Sequence, residues 1–383
     1  MSSKRVLFYV LHLLGVGHVY RAKRLMEGMV AAGLKVDVIY GGEKIEGLTL
    51  PAQTITYLPP IRAADPSFTH YLDGEGNTLG EAWMKRRQSA LMAAFDHLSP
   101  DIIITEAYPF GRRLVRHEIS ALLQAAKARP KPPLIAASIR DILEPRKAGR
   151  AEETVSVLDE FYDHILVHSD PALMDLAATY PLAQRVTEKT SYTGFVVPPA
   201  ADSQTAPTET DIIVTVGGGA FGGPLARVAL EAASLRRDLS WTLATGPNMH
   251  ADDRAFLRKA RPGNLTLVER LEGLTHHLAK ARLSISQCGY NTAMDVLSAH
   301  QHGCRAVFVP YDIEGQKEQV QRAALLEKAG YAINLPQSRL TPEALLQAMD
   351  RALALPPVDH RIDFDGVGNT TSLITSWLRE RHG

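Results

Sequence analysis

The chain has 383 residues, 45% of them apolar, enough to bury two cores and so to form two domains. Its 42 basic and 42 acidic residues cancel, so nothing electrostatic argues for a nucleic-acid partner. Two cysteines, Cys288 and Cys304, are too few for a disulfide framework and fit a reducing compartment.

The N-terminus, MSSKRVLFYVLHLLGVGHVYR, has a basic start and an apolar run. The run is too short to span a membrane, and Gly15, Gly17 and His18 interrupt it where a cleavage site needs small neutral residues. We read it as a first core strand, residues 6–10, and its loop, in a cytoplasmic protein. A helix from Val19 to about Ala32 follows, with Val19, Ala22, Met26, Met29 and Val30 at helical spacing and Gly33 as its stop. Further strands are predicted at 36–40, 102–105, 134–138 and 165–168. Residues 83–95 have amphipathic spacing with Lys85, Arg86 and Arg87 near one end, which suits either a helix that packs Ala90, Leu91, Ala94 and Phe95 into the core with its basic stripe solvated on the surface, or peripheral contact with a membrane. Such alternation of strand and helix predicts a parallel sheet.

A second series of strands runs through 212–216, 241–244, 265–268, 283–286 and 305–309. Between the series lies VPPAADSQTAP at 197–207, whose prolines and small polar residues make a poor core element. The expected division is a first domain at 1–197, a linker at 198–207 and a second domain at 208–383. A last helix, 372–381, is free to pack back on the first domain.

Three segments carry chemistry. In the first, glycines ahead of His18 let another molecule approach the backbone, and the helix start favours negative charge in that molecule. An imidazole held there, neutral around pH 7, can take a proton from a hydroxyl; the plainer reading is a tight turn with His18 capping the helix. In the second, Gly217, Gly219 and Gly222 match G-x-G-x-x-G, but the strand at 241–244 ends in Thr245-Gly246-Pro247, without the acidic residue a dinucleotide site needs. That disfavours a nicotinamide or flavin and leaves a loop whose amides cradle a diphosphate. In the third, Gly289, Asn291 and Thr292 precede one helix while Gln316, Glu318 and Gln319 open the next, at the carboxyl end of the strand at 305–309. Open α/β sheets bind ligands there.

These features in this order resemble glycosyltransferases of the GT-B fold, specifically the family 28 group that includes the peptidoglycan N-acetylglucosaminyltransferase. The resemblance rests on Gly15-Val16-Gly17-His18, Thr193-Gly194 before the linker, the glycine loop of the second domain, Gly289 to Asp295, and Glu318-Gln319 ahead of Ala323 to Gly330. Residues 105–113 and 138–143 look instead like a bacterial subgroup of predicted glycosyltransferases, so the peptidoglycan acceptor is not carried over.

The resemblance implies an α/β fold of two Rossmann-like parallel-sheet domains facing across a cleft. It implies inverting, metal-independent transfer from a nucleotide-diphosphate sugar, a UDP-sugar first, to an acceptor hydroxyl that could be lipid-linked or part of a polysaccharide, with no cofactor. Gly17, Gly217, Gly218, Gly219, Cys288, Gly289, Asn291 and Thr292 would serve the phosphates. Leu271 would flank the base, Asp295 would stand where the family has a glutamate for the ribose, Glu318 and Gln319 would hold the sugar, and Gln316 would belong to the same donor site. For the catalytic base His18 leads, with Glu106 and Asp141 as alternatives, either of which could instead pair with Arg112, Arg113 or Arg140. A D-x-D pair, Asp363 and Asp365, lies beyond the last strand and is not expected to bind metal. The competing readings are a nucleotide-sugar hydrolase or epimerase, and a non-catalytic nucleotide-sugar-binding subunit.

Overall fold

The computed structural model describes residues 4–13, 16–64, 70–144, 149–197, 210–217, 222–312 and 317–381. Contacts divide the chain into two units, Met1–Val196 with Asp363–Gly383, and Val197–Ile362.

The first unit contains β1 (Arg5–Val10), α1 (Gly17–Ala31), β2 (Lys35–Tyr40), β3 (Thr54–Tyr57), a small hairpin of β4 (Arg62–Ala63) and β5 (Tyr71–Leu72), α2 (Glu81–Asp96), β6 (Ile102–Glu106), α3 (Arg116–Lys127), β7 (Leu134–Arg140), α4 (Arg150–Phe161), β8 (His164–His168) and β9 (Thr190–Tyr192). Seven strands form one parallel sheet in the order β3-β2-β1-β6-β7-β8-β9. Alternate residues of β1 enter two cores, as strand periodicity requires. Leu7 and Tyr9 pack with Leu91 and Phe95 of α2 and Ile119 and Leu122 of α3. Val6, Phe8 and Val10 pack with Leu25, Met26 and Met29 of α1.

The second unit contains β10 (Ile212–Thr215), α5 (Gly223–Leu235), β11 (Trp241–Ala244), α6 (Ala251–Ala260), β12 (Leu265–Val268), α7 (Leu274–Leu278), β13 (Leu283–Ser286), α8 (Tyr290–His300), β14 (Arg305–Phe308), α9 (Glu318–Lys328), β15 (Ile333–Asn334) and α10 (Pro342–Leu353). Its parallel sheet has the order β12-β11-β10-β13-β14-β15. Val214, Leu243, Ile285 and Val307 make its core with Leu225 and Ala229 of α5 and Leu345 and Met349 of α10.

The C-terminal helix α11 (Gly366–Glu380) belongs with the first unit, so the stretch expected as one domain at 208–383 ends at Ile362. Ile374 and Leu378 of α11 are buried in the α1 core. Contact with α1 passes over Gly28, where a Cβ would lie 2.4 Å from Val367 Cγ1 and 2.9 Å from Thr371 Oγ1. The D-x-D carboxylates serve this return of the chain. Asp365 accepts from Gly368 N (3.2 Å) as the N-cap of α11, and Asp363 accepts from Asp365 N (2.9 Å) and Asn369 Nδ2 (3.0 Å).

The basic end of residues 83–95 differs from the surface stripe considered above. Arg87 is fully buried and donates to Glu118 Oε2 (2.8 Å), so only Lys85 and Arg86 stay outside. Among the described residues no helix is long and apolar enough to cross a membrane.

Candidate active site

In the first unit, β1 runs into α1 and the neighbouring β6 ends in Glu106, which brings the first turn of α1 over that carboxylate. No side chain caps α1, so His18 is not a cap. Its Nδ1 lies 2.6 Å from Glu106 Oε1. Arg21, at i+3 and so on the same helix face, donates Nη2 to that oxygen at 2.5 Å. Arg112 Nη2 stands 3.7 Å from Glu106 Oε2.

Two guanidinium groups already outweigh the one carboxylate. Burial first, and then Arg112 and Arg140, push the imidazole of His18 down to about 4 against the opposing pull of Glu106. Burial alone would raise the Glu106 carboxyl; His18, Arg21 and Arg112 hold it below the usual range. An ionised carboxylate only accepts, so the hydrogen sits on Nδ1 and the lone pair of Nε2 is left to take a proton.

Exposure separates the three candidate bases. The side chain of His18 is 20% exposed, whereas Glu106 is 1% exposed and Asp141, just past β7, is 0% exposed. A group that must meet a substrate hydroxyl needs surface, which His18 has. Arg113 turns away to Glu153 on the outside and so is not a partner of Glu106. Arg112 reaches Glu106 from a left-handed backbone (φ 57°), as does the turn at Ala107 (φ 63°) directly after Glu106. Such conformations cost about 1–2 kcal/mol each in a non-glycine residue, and here they flank the carboxylate.

In the second unit, Gly289 is the N-cap of α8 in an extended conformation, and no side chain caps the helix. Arg322 of α9, fully buried, donates Nη1 to Cys288 O (2.8 Å) and Nη2 to Glu318 Oε1 (2.6 Å). One guanidinium thus ties the start of α8 to the start of α9. Gln319 Oε1 accepts from Tyr311 N (3.3 Å). Asp295 accepts from Thr275 Oγ1 (3.3 Å) on α7, which brings the segment after Leu271 beside the carboxylate. Gly217 follows β10 at φ 71°. The paired strand ends Thr215 and Ser286 carry buried hydroxyls that have no hydrogen-bond partner among the described residues.

Residues 212–358 match the model of the glycosyltransferase family 28 C-terminal domain. The match lies within the second unit. Two enzymes described as UDP-N-acetylglucosamine–N-acetylmuramyl-(pentapeptide) pyrophosphoryl-undecaprenol N-acetylglucosamine transferase are similar to the chain. That of Thermotoga neapolitana is 26% identical over 141 residues, and the match spans only 37% of this chain and 39% of that one. That of Phenylobacterium zucineum is 24% identical over 358 residues, 89% of this chain and 87% of that one. The crystal structure of MurG from Acinetobacter baumannii superposes with a TM-score of 0.62 at 17% identity, covering 97% of this chain and 99% of that one. In fold the chain is GT-B.

The structure groups Cys288, Gly289, Asn291, Thr292, Asp295, Glu318 and Gln319 around the starts of α8 and α9, with Asn291 exposed. Gly17 opens α1 beside His18. Gly218, Gly219 and Gln316 lie outside the described residues. Three residues escaped the sequence reading. Arg21 was legible as the i+3 neighbour of His18, and Arg322 as the i+4 neighbour of Glu318. His168, buried between Ser138 Oγ (2.8 Å) and Thr193 Oγ1 (2.8 Å), had no local signal, since its partners come from other strands.

Proposed function

We propose that this protein moves a sugar from a nucleotide-diphosphate sugar, a UDP-sugar, to an acceptor hydroxyl with inversion. The observation that carries the reading is the His18–Glu106 pair: a neutral imidazole with Nδ1–H committed to a carboxylate and Nε2 available, in a chain whose other unit matches the model of a family 28 domain. Nε2 of His18 takes the acceptor proton as the acceptor oxygen attacks the anomeric carbon. Glu106 positions the ring and fixes its tautomer, and Arg21 and Arg112 hold Glu106 ionised. The bond to the diphosphate breaks on the opposite face, and the charge that develops there meets the amides at the start of α8, so no metal is needed for departure. Asp295 holds the ribose and Glu318 and Gln319 the sugar hydroxyls. The relatives' donor, UDP-N-acetylglucosamine, supports a uridine nucleotide.

A thermal-shift screen against UDP-, GDP-, TDP- and CMP-sugars tests the donor site, because a ligand of the folded state raises its apparent stability. We expect one nucleotide sugar to shift the transition and Glu318→Ala or Asp295→Ala to abolish the shift. Folded protein that responds to none of them overturns the donor assignment. Release of free sugar, or of an altered nucleotide sugar, without any acceptor would make the protein a hydrolase or epimerase.

A further inference from the structure

Three neighbouring strands of the first unit carry buried polar side chains on one face near their carboxyl ends. Ile104, Ala136 and Leu166 lie in the α1 core, and two residues further along β6, β7 and β8 the same face carries Glu106, Ser138 and His168. Glu106 is taken up by His18, Arg21 and Arg112. Ser138 and His168 are fully buried, and the chemistry above leaves them over. An inner strand of a covered parallel sheet is apolar by default, and a polar group buried there costs free energy unless it is paired.

His168 is paired at both nitrogens, and in one direction. Nε2 lies 2.8 Å from Ser138 Oγ, and Nδ1 lies 2.8 Å from Thr193 Oγ1, just after β9. Thr193 Oγ1 also stands 3.1 Å from Gly194 O, and a carbonyl only accepts, so the threonine hydrogen goes there. The Thr193 oxygen therefore accepts from Nδ1–H, which leaves the Nε2 lone pair to accept from the Ser138 hydroxyl. Burial, and after it Arg21, keep the ring neutral by pushing it down to about 3 against the pull of Glu106.

One end of this relay is fixed to a helix of the same core, since Thr193 O accepts from Asn369 Nδ2 (3.0 Å) of α11. The other end reaches the partner of the base. Ser138 stands opposite Glu106 in the register of β6 and β7, and its carbonyl accepts from Ala107 N (2.9 Å). Ala107 is the left-handed residue (φ 63°) directly after Glu106, a conformation that persists only where its surroundings hold it.

We propose that His168 is a positioning residue for the base. By holding β7 at Ser138 it fixes the Glu106–Ala107 turn, and with it the place from which Glu106 keeps the hydrogen of His18 on Nδ1. The proposal rests on the transferase reading of His18. A ring that merely tied strands together could work through either nitrogen, whereas this role runs through Nε2 and Ser138.

Nitrogen NMR of the intact protein with isotope-labelled histidine tests the proposal without turnover, because the ring signals report which nitrogen carries the hydrogen. His18→Ala identifies the His18 signals. His168→Asn places an amide near the position of Nδ1 and keeps only the Thr193 contact, while His168→Gln places one near Nε2 and keeps only the Ser138 contact. We expect His18 in its Nδ1–H form in the unaltered chain and in His168→Gln, and as a mixture of tautomers in His168→Asn. Ser138→Ala removes the same contact from the other side and should give the same mixture, so the test stands if His168→Asn fails to fold, which the thermal transition shows. A single Nδ1–H form in folded His168→Asn or Ser138→Ala overturns the proposal, and so does a mixture in His168→Gln. The Nε2–H form in the unaltered chain would refute the base assignment and the proposal with it. The expected pattern in protein that transfers no sugar would leave His168 assigned to the His18–Glu106 pair and refute the transferase reading instead.

Discussion

His18 works through what surrounds it. With Nδ1 bound to Glu106 and two arginines on the same carboxylate, a proton on Nε2 arrives in a site that already has excess positive charge. We therefore expect His18→Ala to lower kcat roughly 10²–10⁴-fold with little change in donor affinity, and Glu106→Gln, which keeps the shape but loses the charge, to lower it as well. Near-normal turnover in His18→Ala together with loss in Asp141→Asn would move the base to Asp141. The same electrostatics bear on stability. The imidazole of His18 is pushed from 6.5 down to about 4, as is that of His12, while burial takes His168 to about 3. Between pH 6.5 and 4 the unfolded chain binds these protons and the folded chain does not. The stabilisation is thus whole above pH 6.5 and is lost as pH falls through that window. Urea midpoints measured across it should drop steeply, and a flat profile would show that the three rings are not held neutral.

At the scale of elements, α1 is shared between two tasks. One end presents His18, and further along, Gly28 lets α11 lie against it. A methyl at Gly28 would meet Val367, whose branched side chain has few rotamers to retreat into. Gly28→Ala is expected to cost about 1–3 kcal/mol by urea unfolding. A neutral result would mean that the two helices can separate freely. Sequence periodicity made α1 and the long strands legible, because an inner strand of a covered parallel sheet must be apolar along its length and a helix along one face. The edge strands β3, β9 and β15 were not legible. With two to four residues each, they are extended mainly because a neighbour offers its ladder. Residues 83–95 show the opposite failure, since periodicity found the helix but took Arg87 for a solvated charge. Its partner Glu118 is 31 residues away.

Over the whole molecule, each of the three cores described above draws on one unit only, and residues 363–383 count with the first. Deleting them removes the burial of Ile374 and Leu378, worth about 3–6 kcal/mol to the first unit. Calorimetry should show that loss while the thermal response to nucleotide sugar persists. If donor binding disappears as well, the second unit does not carry the donor site by itself.

The alternation of strands and helices, the break near residue 197 and the polar helix starts at Gly289 and Glu318 were all determined locally, by periodicity, proline content and capping chemistry. Tertiary structure decided which charges meet. His18 and Glu106 are 88 residues apart and touch because the sheet order sets β6 against β1. It also decided the place of α11, since an amphipathic helix specifies that one face must be buried but not against which partner, and that choice fell to the shape left by Gly28.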